Sequence, residues 1–476
     1  MDYKNFIGGA WLATAESTPN VNPSDTTDIL GHAAKGTVAD LDKAIDAAHA
    51  AAPEWAASTP QQRFDVLDFI GTEVLARKEE LGTLLSREEG KTLPEGIGEA
   101  ARAGQIFKFF AGEALRQTGD RLDSVRPGVE IDITRSPVGV IGLITPWNFP
   151  IAIPAWKLAP AICYGNTVIL KPAELVPGCA HALVEIISRS GLPAGVVNLV
   201  MGRGSELGPR MIDSDEVNAI SFTGSVPTGR GIAAACGENL KKVQLEMGGK
   251  NPMVVLDDAD LDLAVDACLN GAFFSTGQRC TASSRLIVTE KIHDQFVATL
   301  YDRMMALKVG HALEAGIKMG PVVDQRQLEQ NLSYVDIAGK EGGKVLGGQQ
   351  LELATSGFFM APALVTETTN AMRINREEVF GPVASVIRVK DYDEALATAN
   401  DTDFGLSAGI CTTSLKHAQH FKKNAQAGMV MVNLPTAGVD YHVPFGGTKG
   451  SSFGSREQGR YAAEFYTTVK TVYTLP

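Results

Sequence analysis

The sequence has few cysteines, no long apolar run and more acidic than basic residues. Its six cysteines never form a Cys-x-x-Cys pair, which in a chain of 476 residues is typical of reduced thiols in a cytoplasm. The longest apolar run, 138–147, contains glycines and Thr145, whereas a membrane-spanning helix needs about 20 apolar residues. The net charge of −12 disfavours non-specific binding to nucleic acid or anionic membranes. We therefore expect a cytoplasmic protein that binds neither.

Common hydrolase and metal motifs are also absent. The sequence has no His-Glu-x-x-His and no Gly-x-Ser-x-Gly, which counts against metalloprotease and serine hydrolase chemistry. His417 and His420 have no companion ligands, so no metal site is expected. Apolar residues make up 44% and charged residues 21%, as in ordinary folded proteins.

Two kinds of segment alternate in the first half of the chain. Segments with apolar residues three and four apart predict helices, and short β-branched runs predict strands of a buried parallel sheet. The predicted helices are 38–57, 61–80, 99–115, 154–164 and 177–190, and the predicted strands are 138–144, 167–170, 196–200 and 219–222. This alternation predicts a doubly wound α/β domain with a cofactor at the carboxyl ends of its strands.

After Gly249 the alternation begins again, which predicts a domain boundary near 247–250. Further strands are predicted at 253–256, 285–288, 384–389 and 429–432, with helices at 261–274 and 293–306. The C-terminal segment 467–473 alternates Val and Thr, as an edge strand does.

Cys280 is a candidate nucleophile. It lies in the small, polar stretch Ser275-Thr-Gly-Gln-Arg-Cys-Thr-Ala-Ser-Ser-Arg285, whereas other cysteines sit among aliphatic residues. A reactive thiol needs access and a lowered pKa, and we expect the cation of Arg279 to help lower it. The alternative is an inert buried thiol.

Two polar residues that follow or end predicted strands are candidates to assist Cys280 in catalysis. Glu246, followed by two glycines, is a candidate general base, and the alternative is a solvated loop acid. Asn148, between prolines in Pro146-Trp-Asn-Phe-Pro150, is a candidate oxyanion donor, and the alternative is an ordinary turn asparagine.

Two Gly-rich segments, 201–208 and 222–230, each follow a predicted strand and open a predicted helix. Free N–H groups at such helix starts bind phosphate, although neither segment matches Gly-x-Gly-x-x-Gly. Lys171 and Glu174 also follow a strand and offer a cation and an acid to ribose hydroxyls; the alternative is a solvated pair in a turn.

Together and in this order, these segments resemble the NAD(P)-dependent aldehyde dehydrogenase superfamily over nearly the whole chain. The markers are Pro146-Trp-Asn-Phe-Pro150, Lys171-Pro-Ala-Glu174, Phe222-Thr-Gly-Ser225, Leu245-Glu-Met-Gly-Gly249, Gly277-Gln-Arg-Cys280, Glu378-Val-Phe-Gly-Pro382 and Pro444-Phe-Gly-Gly447. Any one marker is weak, but seven in register make coincidence implausible.

The resemblance implies the chemical roles. Cys280 would attack an aldehyde carbonyl, and Asn148 with the Cys280 N–H would hold the resulting oxygen. Hydride would then pass to the nicotinamide, which leaves a thioester on Cys280. Glu246 would activate the water that hydrolyses this thioester. The implied cofactor is NAD, with NADP possible, because Glu174 accepts from ribose hydroxyls but repels a 2′-phosphate. The residues implied to contact the cofactor are Trp147, Lys171, Glu174, Gly204, Gly208, Phe222, Gly224, Ser225, Glu378 and Phe380.

The resemblance also implies an α/β fold of three parts. These are a Rossmann-type cofactor domain (1–116 and 138–247), an α/β catalytic domain (248–455) and a small β oligomerisation flap (117–137 and 456–476). The flap would complete a sheet in a neighbouring subunit, so a homodimer or homotetramer is expected.

The implied substrate tunnel has both aromatic and cationic residues. Its residues would be Arg102, Phe149, Ile153, Trp156, Arg279, Thr281 and Phe445, with the loop 434–443 at its mouth. The guanidinium of Arg102 suits a carboxylate at the far end of a short aldehyde, and the alternative is a solvated helix arginine. The chain most resembles bacterial semialdehyde dehydrogenases, such as those for 2-oxoglutarate semialdehyde (2,5-dioxopentanoate).

Several alternatives remain for the activity. Succinate semialdehyde dehydrogenases usually have arginines where this chain has Trp156 and Phe274. A broad-range aliphatic aldehyde dehydrogenase is also compatible with the motifs. A CoA-acylating relative would generally lack a carboxylate at the position of Glu246, and a non-catalytic relative would have lost Cys280 or Asn148.

Overall fold

The computed structural model describes residues 2–476. The α-helices are α1 Val38–Ala56, α2 Pro60–Ala76, α3 Lys78–Glu89, α4 Leu93–Ala114, α5 Ala152–Cys163, α6 Pro177–Ser188, α7 Gly204–Asp213, α8 Val226–Glu238, α9 Leu261–Phe273, α10 Glu290–Met305, α11 Gln325–Lys340, α12 Arg373–Arg376, α13 Tyr392–Asn400, α14 Leu415–Asn424 and α15 Ala463–Tyr466. Two 3₁₀ helices span Phe274–Gly277 and Arg460–Ala462. Within residues 2–476, no helix is long and apolar enough to cross a membrane.

Strands make up the remaining regular structure. They are β1 Asp2–Tyr3, β2 Asn5–Ile7, β3 Ala10–Leu12, β4 Ser17–Asn22, β5 Asp25–Ala34, β6 Asp120–Asp123, β7 Glu130–Pro137, β8 Val140–Ile144, β9 Thr167–Lys171, β10 Val197–Leu199, β11 Ala219–Thr223, β12 Lys242–Glu246, β13 Asn251–Val255, β14 Ser283–Thr289, β15 Lys344–Gly347, β16 Ala363–Thr368, β17 Val383–Val389, β18 Phe404–Gly405, β19 Ser407–Cys411, β20 Met429–Val432, β21 Thr448–Lys449, β22 Ser452–Phe453 and β23 Thr467–Thr474.

The first large sheet has the order β22-β12-β11-β8-β9-β10-β2-β3. Strands β8 to β12 are parallel and nearly fully buried, as expected when helices cover both faces. The first of them, β8, lies in the middle, with β9 and β10 on one side and β11 and β12 on the other. The predicted doubly wound arrangement is confirmed, and a crevice is expected beyond the carboxyl ends where the order reverses.

The second large sheet has the order β15-β16-β17-β14-β13-β19-β20. All its strands except the antiparallel edge strand β15 run parallel. The chain passes from the first sheet to the second between β12 and β13, where the alternation was predicted to restart. The strands predicted in this half are present as β13, β14, β17 and β20.

The predicted C-terminal edge strand pairs within its own chain. Strand β23 lies antiparallel to β7, from Thr467 opposite Pro137 to Thr474 opposite Glu130, and β6 pairs with the other side of β7. The register places apolar residues on one face of this three-stranded sheet, namely Leu122, Ile131, Ile133, Val469 and Tyr473. Leu122, Val469 and Tyr473 are each more than half exposed, so this face is not covered by its own chain.

Two helix predictions are wrong at their boundaries. The segment predicted as one helix, 61–80, forms α2 and α3, because Arg77 leaves the helical conformation. Its guanidinium pairs with Glu185 at 2.7 Å and with Glu80 at 2.8 Å. The helix predicted from residue 99 begins at Leu93, because Thr92 and Glu95 form a capping box.

Candidate active site

A cleft of about 910 Å³ lies beyond the carboxyl ends of the first sheet. Its walls come from the loops and helix starts that follow β8, β9, β10 and β11. They include most of the residues expected to contact a cofactor, namely Trp147, Lys171, Glu174, Gly204, Gly208 and Phe222. The strand order therefore brings together side chains that are far apart in the sequence.

The polar groups of this cleft fit a dinucleotide. The carboxylate of Glu174 accepts a hydrogen bond from the N–H of Gly204 at 3.1 Å, at the start of α7, and its exposed side chain lies 3.9 Å from the Lys171 ammonium. Burial lowers the pKa of Lys171, while Glu174 opposes this shift. The hydroxyls of Thr145 and Thr223 are buried in the cleft wall without a partner. A buried hydroxyl without a partner is costly, so a ligand is expected there.

The remaining residues expected to contact the cofactor lie outside this wall. Gly224 and Ser225 precede α8, and the Ser225 hydroxyl lies 2.9 Å from that of Thr228. Glu378 and Phe380 line a separate small cavity, and the Phe380 ring meets that of Trp147 edge-on at 5.4 Å. Burial raises the pKa of Glu378 to about 7, although its carboxylate accepts from the N–H of Gly249 at 2.9 Å.

Cys280 lies in the loop between the 3₁₀ helix and β14, with its side chain partly buried. Burial raises the pKa of its thiol well above the ordinary range, and the nearby carboxylates of Glu378 and Glu246 raise it further. The Arg279 cation, which was expected to help lower this pKa, does interact with the thiolate, but burial outweighs that attraction. The Arg279 guanidinium donates to the carbonyls of Asn270 and Gly271 and does not offset the burial of the thiol.

Glu246 ends β12, and its side chain is buried. The Ser452 hydroxyl donates to Oε2 at 2.6 Å, whereas Oε1 has no hydrogen-bond partner. Burial raises the pKa of Glu246 well above its ordinary value, and the like charge of Glu457 adds to this shift. A buried carboxyl with one free oxygen and a raised pKa is suited to take a proton from water.

Asn148 lies in the turn after β8 and is 4% exposed. Its side-chain N–H donates to the carbonyl of Gln278 at 3.0 Å. Gln278 belongs to the same loop as Cys280, so the Asn148 amide lies beside the loop of the candidate nucleophile.

A second cavity, of about 320 Å³, contains Cys280. Its wall includes the expected tunnel residues Arg102, Phe149, Trp156, Arg279, Thr281 and Phe445, together with Phe274 and Gly438 and Val439 of the loop 434–443. Ile153 is buried and does not line it. The rings of Trp156 and Phe445 stack at 5.3 Å.

Three donors of residues in this wall have no partner: Arg102 Nε, Arg279 Nε and Trp156 Nε1. Another nitrogen of Arg102, Nη2, donates to Gln458 at 3.3 Å. Buried donors without partners are costly. The cavity is therefore suited to a substrate rich in hydrogen-bond acceptors.

Lys91, Glu95 and Glu99 line the same cavity and were not anticipated from the sequence. Lys91 donates to Glu99 at 2.8 Å, and both side chains are 2% exposed. The sequence gives one local indication of where these residues lie. Thr92 and Glu95 form a capping box, which marks the start of a helix directly after Lys91. Nothing local in the sequence distinguishes a buried lysine there from a solvated one.

Comparison with known proteins agrees with this geometry. The model of the aldehyde dehydrogenase family matches residues 11–472. The chain is 43% identical to the α-ketoglutaric semialdehyde dehydrogenase of Bacillus subtilis, over 100% of this chain and 98% of that protein. It is 39% identical to the 2,5-dioxopentanoate dehydrogenase of Saccharolobus solfataricus, over 99% of each chain.

Solved structures show the same similarity. A betaine aldehyde dehydrogenase from Staphylococcus aureus, in complex with NAD⁺, superposes with a TM-score of 0.97 at 34% identity, covering 99% of this chain and 95% of that one. The fold, the two cavities and the family match lead to one conclusion. The chain belongs to the aldehyde dehydrogenase family and is an oxidoreductase that acts on aldehydes.

Proposed function

We propose that the chain oxidises a short semialdehyde bearing a carboxylate, such as 2-oxoglutarate semialdehyde, to the dicarboxylic acid with NAD. The observation that carries this proposal is the cavity whose wall contains both Cys280 and Arg102. A guanidinium is suited to a carboxylate held at the far end of the substrate. The names of the two relatives above support the same substrate class.

The site residues suggest a division of labour. Cys280 attacks the aldehyde carbon, and the Asn148 amide with the Cys280 N–H holds the oxygen as it gains negative charge. When NAD is bound, it supplies the hydride acceptor. Glu246 then takes a proton from the water that attacks the thioester, which releases the acid and restores the thiol.

Residues of the cleft wall, together with Ser225, Glu378 and Phe380 outside it, hold the cofactor in this proposal. Lys171 and Glu174 bind the adenosine ribose, Ser225 contacts the pyrophosphate, and Glu378 with Phe380 contacts the nicotinamide ribose. The carboxylate of Glu174 repels a 2′-phosphate, so a higher kcat/KM is expected with NAD than with NADP. The opposite order would contradict this role of Glu174.

We also propose the division into cofactor domain (1–116 and 138–247), catalytic domain (248–455) and flap (117–137 and 456–476). The change of sheet between β12 and β13 supports the boundary at 247. The uncovered apolar face of the β6–β7–β23 sheet supports a homodimer or homotetramer, because exposed apolar patches mark association surfaces.

A cytoplasmic location is the remaining part of the proposal. The six cysteines are free thiols, and five of them are buried. Free thiols are typical of proteins in a reducing compartment.

The proposal is tested by following NADH formation with three aldehydes: 2-oxoglutarate semialdehyde, succinate semialdehyde and propanal. The highest kcat/KM is expected for 2-oxoglutarate semialdehyde, without added CoA. Arg102→Leu should raise KM for the carboxylated aldehydes and leave that for propanal unchanged. Equal effects on all three aldehydes, or dependence on CoA, would contradict the proposal, and Cys280→Ala, which removes the nucleophile, serves as the inactive control.

A further inference from the structure

The turn that carries Asn148 is held by a buried lysine. The Lys91 ammonium donates to the backbone carbonyl of Asn148 and to Glu99 Oε2, the latter at 2.8 Å. It also lies 3.7 Å above the centre of the Phe149 ring. Lys91 thus contacts two consecutive residues of this turn, one of them the proposed oxyanion donor.

Glu99 holds the other side of the same turn. Its Oε1 accepts from the N–H groups of Ile151 and Ala152, at 3.0 and 3.1 Å. The Lys91–Glu99 pair is therefore hydrogen-bonded to the backbone both at Asn148 and at the start of α5. The Asn148 amide, which donates to the Gln278 carbonyl, is oriented by a backbone that is fixed at both ends.

Burying this pair is costly, because both charges leave water. Burial acts to lower the pKa of Lys91, but the carboxylates of Glu89 and Glu99 outweigh it, so that pKa is raised and the ammonium stays charged. Glu89 contributes from 3.9 Å, and its carboxylate also accepts from the Lys91 backbone N–H at 3.0 Å. An apolar residue of similar volume would fill the space without this cost, so a role beyond stability is expected.

We propose that Lys91, supported by Glu99, is a positioning residue that fixes the Asn148 amide where the substrate oxygen gains its charge. The inference rests on the oxyanion role proposed above for Asn148. Lys91 itself touches no reacting atom. Its loss frees the Asn148 carbonyl and lets the turn shift, and a displacement of about 1 Å costs such a site on the order of 10²-fold in rate.

The test uses a reaction that needs no cofactor. Attack of Cys280 on p-nitrophenyl acetate forms the C–S bond of an acetyl-thioester and breaks the C–O bond, which releases p-nitrophenolate. Lys91→Met is expected to slow this acylation by about 10–100-fold. Lys108→Met is the matched control, because this lysine of α4 is bonded only to the surface residues Asp68 and Thr72; it should acylate at the unmodified rate.

A double-mutant cycle separates positioning from general damage. Asn148→Ala alone should slow acylation by about 10²–10³-fold. Adding Lys91→Met to Asn148→Ala should slow it by less than about 3-fold more, because there is no amide left to position. If the two effects multiply in full, or if Lys91→Met alone acylates normally, the inference is wrong and the role of Asn148 stands. If Asn148→Ala acylates normally, the proposed oxyanion role fails and the inference falls with it.

A second variant covers the case in which Lys91→Met does not fold, since that change leaves two buried carboxyl groups without their cation. Glu99→Gln retains an oxygen that accepts from Ile151 and Ala152 but removes the charge that holds Lys91. It is expected to slow acylation by about 3–10-fold, and again by less in the Asn148→Ala background. An unchanged rate for Glu99→Gln, in protein with an unaltered circular dichroism spectrum, would overturn the inference.

Discussion

Two carboxylates, those of Glu378 and Glu246, raise the pKa of the Cys280 thiol, and each has one oxygen engaged in a hydrogen bond. Glu378 Oε1 accepts from the N–H of Gly249 and Glu246 Oε2 accepts from the Ser452 hydroxyl, which leaves Glu246 Oε1 without a partner. A free oxygen is required to bind and deprotonate water. The free Oε1 is compatible with the role of base that we propose for Glu246 in the last step of the reaction.

Glu246→Gln should separate the first part of the reaction from the last. Hydride leaves before water is needed, so up to one NADH per active site should appear in a burst. Turnover should then stall, because a positioned base contributes about 10²–10⁴-fold to thioester hydrolysis. Rapid-mixing absorbance, with mass spectrometry of the acylated protein, checks both parts. If no burst appears, Glu246 also deprotonates Cys280, whose thiol pKa is raised.

The raised pKa of Glu246 predicts the pH dependence of the same step. In the role proposed for Glu246, thioester hydrolysis needs its ionised carboxylate, so the rate should fall as the pH drops through this raised pKa. Glu457→Gln removes a like charge that raises the pKa of Glu246. In the profile of kcat against pH, the pH below which kcat begins to fall should therefore be lower in this variant than in the unmodified protein. The matched control is the exposed acid Glu464, since Glu464→Gln should leave the profile unchanged; an unmoved or upward-shifted profile in Glu457→Gln would rule out this coupling.

At the residue scale, the sequence motifs predicted which side chains line the two cavities better than they predicted how those side chains behave. Motif spacing predicted Cys280, but not that burial would outweigh the Arg279 cation and raise the pKa of the thiol. Lys91 was missed because its burial depends on Glu99 and on the turn at Asn148, a contact across 57 residues of sequence. Charge and burial are set by contacts between distant segments, which one sequence does not display.

At the scale of elements, the 3₁₀ helix before Cys280 is held in an unusual conformation. Ser275, Thr276 and Gly277 have positive φ of 53°, 54° and 63°. The Glu95 carboxylate holds this segment by accepting from the Ser275 N–H at 2.7 Å and from its hydroxyl at 3.1 Å. Strain of this kind persists only where the surroundings fix it, and here it sets the path of the loop that carries Cys280.

Gly277→Ala should destabilise the protein more than the same replacement at another glycine with a positive φ. A Cβ at Gly277 would collide with the Gly381 carbonyl, in the loop of Glu378 and Phe380. Gly316 has a φ of +84° and no atom within 4 Å of such a Cβ, so Gly316→Ala is the matched control. The control should lose about 1–2 kcal/mol and Gly277→Ala about 1–3 kcal/mol more. Equal shifts of the thermal midpoint by circular dichroism would show that the loops are not packed this tightly.

The sequence predicted helices and strands well where their periodicity was strong, and poorly where a tertiary contact decided a boundary. The strand-helix alternation predicted β8 to β11 and the helices α5 and α6 to within a few residues. The break at Arg77 was not predictable in this way, since it is stabilised by Glu185, which lies 108 residues later. The early start of α4 was predictable, because the capping box Thr92–Glu95 is a local signal.

For the whole molecule, the order of strands within each sheet is what assembles the two cavities. The turn after β8, the end of β12 and the loop before β14 converge on Cys280 although they span more than a hundred residues of sequence. The doubly wound rule, which places ligands at the carboxyl ends of parallel strands, and the family resemblance allowed part of this to be expected. The order of the second sheet had no comparable signal.

The three-stranded sheet β6–β7–β23 is expected to form the contact between subunits. Its apolar face includes Val469, 60% exposed, and Tyr473, 57% exposed, in a single chain. If this face is covered by a second copy, Val469→Asp buries a charge at the interface, which costs several kcal/mol. Since each 1.4 kcal/mol is a factor of ten in Kd, association should weaken by about 10²-fold or more. Sedimentation velocity at micromolar concentration should then show a smaller species than the unmodified protein.

Leu415→Asp, at an apolar residue of α14 that is 73% exposed, is the control and should leave the assembly intact. Because Val469 is exposed in the single chain, the circular dichroism spectrum should not change; an unaltered sedimentation coefficient in Val469→Asp would place the interface elsewhere.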